Sequence, residues 1–247
     1  MRTYDQSVSE LGPAETFDPQ AFVGDDSVPQ HVCDFVLALA VVFNDFKDLM
    51  LAQQLLQTAT PDDGPPTPAR GLYGGLHVHL FRMLAGLVNE LSELITHNAK
   101  ATQDPSFTQL LRKMPKQARS MWQRVNDAAY ATGPKGDRFG RLVFFARNTI
   151  AFHYDTKMFA RGYKEAFLKP SSGSPYVSRG RNMAATRFYF ADAAAESALF
   201  QWADVTTGKE FMTAGWTLLP EMSHALRELV TAFVRGRGMA RRRTPAA

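Results

Sequence analysis

Residues Gln30 to Thr58 read QHVCDFVLALAVVFNDFKDLMLAQQLLQT, a stretch that contains neither proline nor glycine. Its large apolar side chains recur at three- and four-residue spacing, which is the period of one face of an α-helix. The pattern predicts a long buried helix that ends at residues 61–68, where four prolines and a glycine form a loop. The apolar positions are Val32, Phe35, Val36, Leu39, Val42, Phe43, Phe46, Leu49, Met50, Leu55 and Leu56.

Three further long helices are predicted downstream. The second covers about residues 69–101, with an apolar stripe from Leu76 to Ile95. The third begins at Asp104-Pro105, because proline is favoured at the first helical position, and Pro115 breaks or kinks it before it continues to about residue 131. The fourth covers about residues 138–168. Four helices with one apolar stripe each predict an all-α helical bundle.

The segments on either side of this bundle carry different patterns. Residues 1–29 are rich in proline and acidic residues without periodicity, so we expect an extended N-terminal arm before the bundle of residues 30–168. Residues 169–235 predict a C-terminal helical extension packed on the bundle, and a short strand or hairpin near 186–190 stays open. Residues 236–247 predict a basic, disordered tail.

Charge and cysteine content limit the classes of function. The chain of 247 residues has a formal net charge of +4, and five arginines between Arg235 and Arg243 account for more than that excess. The folded body is therefore expected to be near neutral, which is weak evidence for a nucleic-acid groove. The single cysteine, Cys33, excludes an intramolecular disulfide framework and a multi-cysteine zinc site. The longest near-apolar run, Phe35 to Phe43, is about half the length that crosses a bilayer, and the first residues lack a signal-peptide pattern, so we expect a cytoplasmic protein without membrane contact.

The predicted fourth helix contains a cluster of residues suited to phosphodiester chemistry. It carries Arg147, Asn148 and His153 within seven positions. Histidine transfers protons near neutral pH because its unperturbed pKa is about 6.5. Arginine presents a permanently charged planar fork that matches phosphate oxygens, and asparagine can orient the histidine or a ribose through its amide.

This arrangement, an arginine followed by a polar residue and then a histidine after five intervening positions, resembles the hallmark of the HEPN (higher eukaryote and prokaryote nucleotide-binding) family. The family consists of compact helical bundles with the motif on a late helix, and Tyr154 and Asp155 after the histidine also suit it. The resemblance implies a metal-independent endoribonuclease that cleaves single-stranded RNA by attack of its own 2′-hydroxyl, as in toxin or defence proteins. His153 would be the acid and base, Arg147 the phosphate clamp and Asn148 the orienting residue.

The resemblance also implies partners and a wider site. We expect RNA as substrate, no cofactor and no metal, with a homodimer and an antitoxin or regulatory protein as further partners. Tyr154 and Asp155 are expected to bind substrate, with Glu93 and Asp45 as additional polar lining. On an ideal helix, Arg147 and His153 are separated by ~9 Å along the axis and about 120° around it. One bundle alone therefore gives a sparse site, and a dimer that brings two motif helices together would complete it.

Two other classes of function remain open. The first is a non-catalytic helical bundle that binds a nucleotide or a protein. The second is a metal-dependent bundle enzyme, for which Glu90, Glu93 and His97 on one helix face are candidate ligands that Asn44, Asp45 and Asp48 could meet. His77 and His79 lie about 200° apart on a helix and cannot chelate one ion from it. The glycines between Gly71 and Gly75 lack the Gly-Lys-Ser/Thr ending of a phosphate loop, and a loosely packed helix start is the expectation there.

Overall fold

The protein is predominantly helical in the residues that a computed structural model describes, which are 15–61, 67–131, 156–170, 174–179, 181, 186–202, 208–237 and 242–243. A 3-10 helix, Pro19–Phe22, precedes eight α-helices within these ranges. The all-α class predicted from the sequence is confirmed. The helices are α1 (Gln30–Gln57), α2 (Pro68–His97), α3 (Ala99–Thr102), α4 (Pro105–Arg112), α5 (Lys116–Ala129), α6 (Thr156–Phe167), α7 (Tyr189–Trp202) and α8 (Gly208–Gly236).

Helix α1 buries the face that its periodicity predicts. Phe35 lies 5.5 Å from Phe107 and 6.3 Å from Trp122, measured between ring centroids, and the three rings meet edge to face or tilted. Each is fully or almost fully buried. Burial of such a side chain stabilises the fold by about 1.5–3 kcal/mol relative to leaving it in water. The aromatic cluster therefore joins α1 to α4 and α5 at the centre of the core.

The predicted third helix is two helices, with Pro115 between them. The Asp104 carboxylate accepts a hydrogen bond from the Ser106 backbone N–H at 2.8 Å, which caps the start of α4. Helix α4 ends at Arg112, and α5 begins at Lys116 after Pro115 adopts an extended conformation. Both boundaries follow from the proline and cap pattern of the sequence.

The last helix closes the core. Leu219, Leu226 and Leu229 of α8 are fully or almost fully buried in the same hydrophobic cluster as the residues of α1. Helix α8 packs mainly against α1 and α5. Helix α8 continues through Pro220, which is exposed to solvent. The central bundle of the described residues is thus built from α1, α2, α5 and α8.

Helices α6 and α7 form a closely packed pair on one side of this bundle, against α2. Helix α6 is the described part of the predicted fourth helix. A Cβ atom at Gly162 of α6 would overlap the Ala194 carbonyl oxygen and lie 2.9 Å from the Ala198 backbone nitrogen. Glycine is therefore required for the helices to approach this closely.

The segment before α7 forms a single antiparallel bridge instead of a strand. Ser178 and Arg187 exchange two backbone hydrogen bonds of 2.9 Å, and Tyr189 already belongs to α7. The option of a short strand or hairpin at 186–190 is thus reduced to this one bridge among the described residues. No described helix is both long enough and apolar enough to cross a bilayer.

The two ends of the described chain meet beside α1. The Arg237 guanidinium donates to Asp25 Oδ2 at 2.7 Å and to the Val23 carbonyl at 2.8 Å. Farther out, Glu15–Thr16 pair antiparallel with Arg242–Arg243, two residues of the basic C-terminal segment. These contacts hold the N-terminal segment against the end of α8.

Candidate functional site

A cleft of about 680 Å³ lies where α2, α6 and α7 meet. This volume falls within the usual range of small-molecule sites. The walls come from the middle of α2, one side of α6 and the first turns of α7, and Arg187 enters from the segment before α7. The polar side chains in the lining are His79, Arg82, Tyr163, Arg187 and Asp192, and the aromatic ones are Phe159, Tyr163 and Phe190.

An ion pair forms part of this lining. Arg187 Nε donates to Asp192 Oδ2 at 2.8 Å, and Arg187 Nη2 donates to Asp192 Oδ1 at 3.4 Å, so that two parallel bonds fix the guanidinium plane. Both side chains are about one-quarter exposed. A Cβ atom at Gly75 would overlap the guanidinium and the carboxylate, so glycine is what lets the pair lie against α2.

The cleft carries more positive than negative charge. Arg82 and Arg187 line it with one carboxylate, Asp192, and His79 lies one helical turn from Arg82 on the same face of α2. His79 is exposed, and an imidazole there can donate a hydrogen bond or accept a proton. The arrangement suits an anionic ligand such as a phosphate group.

Aromatic rings form another part of the lining. Tyr163 of α6 and Phe190 of α7 meet edge to face, with centroids 6.3 Å apart. Tyr189 fixes the start of α7, because its hydroxyl donates to the Pro68 carbonyl at 3.0 Å and its ring fills the space that a side chain at Gly71 would occupy. Cations and rings in the same lining suit a nucleotide, which combines a phosphate with a flat base.

Most of the site predicted from the sequence lies outside the described residues, namely Arg147, Asn148, His153, Tyr154 and Asp155. The two remaining predicted residues, Asp45 on α1 and Glu93 on α2, are exposed, and neither lines the cleft. Glu93 accepts a hydrogen bond of 3.3 Å from the Asn89 side chain of its own helix.

The candidate metal ligands do not assemble in the part of the chain that the structure describes. No three His, Cys, Asp or Glu side chains within those ranges are placed to hold an ion, and this includes Glu90, Glu93 and His97. His77 and His79 point apart, as helix geometry requires. His77 Nδ1 lies 3.4 Å from the buried Gln53 amide, while His79 lines the cleft. Burial lowers the pKa of His77 below its ordinary value of 6.5.

None of the cleft's polar residues is predicted from the sequence as part of a site, because they come from α2, α6 and the segment around the start of α7, which are far apart in the sequence. The feature of the sequence that could have pointed to this cleft was the spacing of the glycines at Gly71 and Gly75. Gly71 and Gly75 pack against Tyr189 and the Arg187–Asp192 pair, so the expectation of a loosely packed helix start is wrong at these two positions. No family model, curated protein or solved structure matches the chain.

Proposed function

We propose that the protein is a HEPN-like, metal-independent endoribonuclease whose motif, Arg147 to His153, acts on an RNA strand bound in the cleft between α2, α6 and α7. One observation carries the link between motif and cleft. His153 precedes the first residue of α6 by three positions in the sequence, and α6 supplies Phe159, Ala160 and Tyr163 to the cleft wall. The cationic side of that cleft suits a phosphodiester.

The proposed chemistry divides between the motif and the cleft. The ribose 2′-hydroxyl attacks the adjacent phosphorus and loses its proton, the bond to the 5′-oxygen breaks, and that oxygen gains a proton. His153 serves this proton transfer, Arg147 balances the charge that grows on the phosphoryl oxygens, and Asn148 orients the reacting groups. The products are a 2′,3′-cyclic phosphate and a free 5′-hydroxyl, and no metal is required.

The chemistry is tested with a labelled unpaired RNA in excess EDTA. We expect cleavage that leaves a 2′,3′-cyclic phosphate end, and we expect His153→Ala to abolish it while the circular dichroism spectrum stays unchanged. Cleavage that persists in His153→Ala, or that stops in EDTA and returns with a divalent metal, contradicts the proposal.

The cleft is tested separately with two variants of its ion pair. Arg187→Gln removes the cation and should weaken RNA binding, whereas Asp192→Asn leaves Arg187 free for a phosphate and should preserve or strengthen it. If the pair is only structural, both variants lose stability and binding together. That outcome would contradict the proposal that the cleft binds the RNA substrate.

The proposed enzyme is a homodimer. A single chain contributes only one Arg147 and one His153, which point in different directions on an ideal helix, so a second copy of the motif would complete the site. Light scattering during gel filtration measures the mass directly. A monomer at micromolar concentration that still cleaves RNA would refute this part of the proposal.

A second candidate function is non-catalytic nucleotide binding, and the size and lining of the cleft favour it. The described residues supply cations for a phosphate and Tyr163 and Phe190 for a base, without the groups of the motif. Titration with a ribonucleoside monophosphate distinguishes the two candidates. Saturable binding that depends on Arg187, in a protein that leaves RNA intact, supports this alternative over the nuclease.

A further inference from the structure

One of the two basic segments of the chain lies beside the cleft. Residues 156–190 contain seven Lys or Arg residues and a single acid, Glu165, which gives a formal charge of +6. The whole chain has a charge of +4, so the remaining residues together carry −2. The near-neutral charge expected for the folded body is therefore an average that includes a strongly basic segment. This segment comprises α6 and the residues between α6 and α7.

Apart from Arg187, which pairs with Asp192, the cations of this segment are exposed. Lys157, Arg161 and Lys164 recur at i, i+4 and i+7, so they share one face of α6, and all three are exposed. Arg179 and Arg181, in the segment before α7, are exposed as well. A stripe of exposed cations along one face of a helix is the electrostatic footprint of a nucleic-acid surface.

Exposed apolar groups accompany these cations. Phe188 is 53% exposed, which is unusual for a phenylalanine, and Val177 is 41% exposed. The bridge between Ser178 and Arg187 is antiparallel, so Val177 lies across from Phe188. Arg179 lies two residues after Val177, beyond the bridging Ser178, and adds an exposed cation to the same segment.

The exposed ring begins a series of ring contacts that reaches the cleft. The Phe188 centroid lies 5.9 Å from that of Phe190, and Phe190 lies 6.3 Å from Tyr163. Tyr163 in turn lies 5.1 Å from Phe167. Phe190 and Tyr163 belong to the cleft wall, so the aromatic series runs continuously from solvent into the cleft.

We propose that this basic–aromatic surface, formed by Arg161, Lys164, Arg179, Arg181 and Phe188, binds an unpaired nucleic-acid strand and leads it to the cleft. A base stacks on Phe188, and the neighbouring phosphates contact the Arg and Lys side chains. Stacking requires an open base face, which a duplex does not offer, so the surface selects single strands. The inference rests on the proposed function in taking RNA as the natural strand, but the stacking and the charge contacts also apply to single-stranded DNA.

Binding is measured on a strand that the enzyme cannot cut, so that it is independent of catalysis. Fluorescence anisotropy with a 2′-O-methyl oligonucleotide of about 12 residues serves this purpose. Phe188→Ala should weaken binding at least about fivefold, the lower end of the effect of removing one aromatic platform. The matched control is Phe17→Ala, because Phe17 is 44% exposed on the N-terminal segment, and it should leave binding unchanged.

The charge contacts are measured through salt dependence. Replacing Arg161 and Lys164 with glutamine should reduce the slope of log affinity against log salt by about 1.4, since each single-strand phosphate contact contributes about 0.7. The control double variant, Lys116→Gln with Arg119→Gln, removes the same charge from exposed positions of α5, which packs against α2 and α8. It should leave the slope unchanged.

Any of three results would contradict the proposed binding surface. Phe188→Ala and Phe17→Ala could change the binding affinity equally, or the two double variants could change the salt slope equally. The third is that the corresponding duplex binds as tightly as the single strand. Failure of the nuclease proposal appears differently. The wild-type protein would then bind the 2′-O-methyl strand with the predicted dependence on Phe188 and leave an unmodified RNA intact.

Discussion

Substitution of Gly162 by alanine should destabilise the fold by wedging α6 away from α7. The new Cβ would overlap the Ala194 carbonyl oxygen and lie 2.9 Å from the Ala198 Cβ. These are backbone atoms and a methyl group on a helix, so relief requires the helices to separate by roughly 1 Å to reach normal contact distances. Overpacking of this kind costs about 1–3 kcal/mol.

The same substitution at Gly74 provides a matched control. Gly74 is exposed within α2, and a Cβ there meets nothing within 4 Å. Alanine gains about 0.5–1 kcal/mol over glycine inside a helix, and this gain applies at both positions. Gly74→Ala should therefore stabilise the protein, and the difference between the two variants isolates the steric cost, about 1–3 kcal/mol.

Thermal unfolding followed by far-ultraviolet circular dichroism measures that difference. For a chain of this size 1 kcal/mol corresponds to about 2–4 °C, so the melting temperatures should differ by roughly 2–12 °C. Gly162→Ala should also weaken binding of a nucleoside monophosphate, because Tyr163 and Phe190 stand on the two separated helices. If Gly162→Ala is as stable as Gly74→Ala, the close packing of α6 on α7 is refuted.

Three further predictions concern stability. Burial lowers the pKa of His77, so below pH about 6.5 the unfolded chain binds a proton at His77 more readily than the folded chain does. The urea midpoint of the wild-type protein should therefore fall as the pH drops from 7 to 5. The urea midpoint of His77→Gln should change less over the same range. Tyr189→Phe removes the hydrogen bond to the Pro68 carbonyl and should cost about 0.5–1.5 kcal/mol in urea unfolding, whereas an unchanged midpoint would show that this bond contributes nothing. Arg237→Ala should speed proteolytic release of the N-terminal segment, since Arg237 donates to Asp25 and to two backbone carbonyls there; cleavage at the wild-type rate would contradict this.

The helix boundaries were predictable where local chemistry decides them. Asp104 and Pro105 form a cap and a first turn that require no distant contact, and Pro115 ends one helix for steric reasons. The start of α1 after Pro29 and its end before the proline-rich residues 61–68 follow equally from the local sequence. These features depend on residues within a few positions of one another, which is why periodicity and helix breakers were sufficient.

The assignment of helices to the core was not predictable from the same signals. An apolar stripe indicates that a helix buries one face, but it does not indicate which other helix that face packs against. The sequence predicts only that residues 169–235 pack on the bundle, whereas the fold places Leu219 and Leu226 of α8 in the same core as the residues of α1. The cleft could not be predicted for the same reason. His79 and Arg187 line one cleft only because α7 packs on α2 through Tyr189.

The basic–aromatic surface was hidden for a different reason. Net charge averages over the whole chain, and the arginines of the C-terminal segment dominated that average. Charge by segment shows residues 156–190 to be basic, but the exposure of Phe188 requires coordinates. Phenylalanines in sequence are ordinarily assigned to the core.

Cleavage of a DNA oligonucleotide that contains one ribonucleotide tests the central proposal most directly, because it supplies a single 2′-hydroxyl as nucleophile. In EDTA, the wild-type protein should cut on the 3′ side of that ribonucleotide alone and leave the all-DNA strand intact. Cleavage at deoxyribonucleotides, or no cleavage of any strand that the protein binds, would contradict 2′-hydroxyl attack as the activity of this protein.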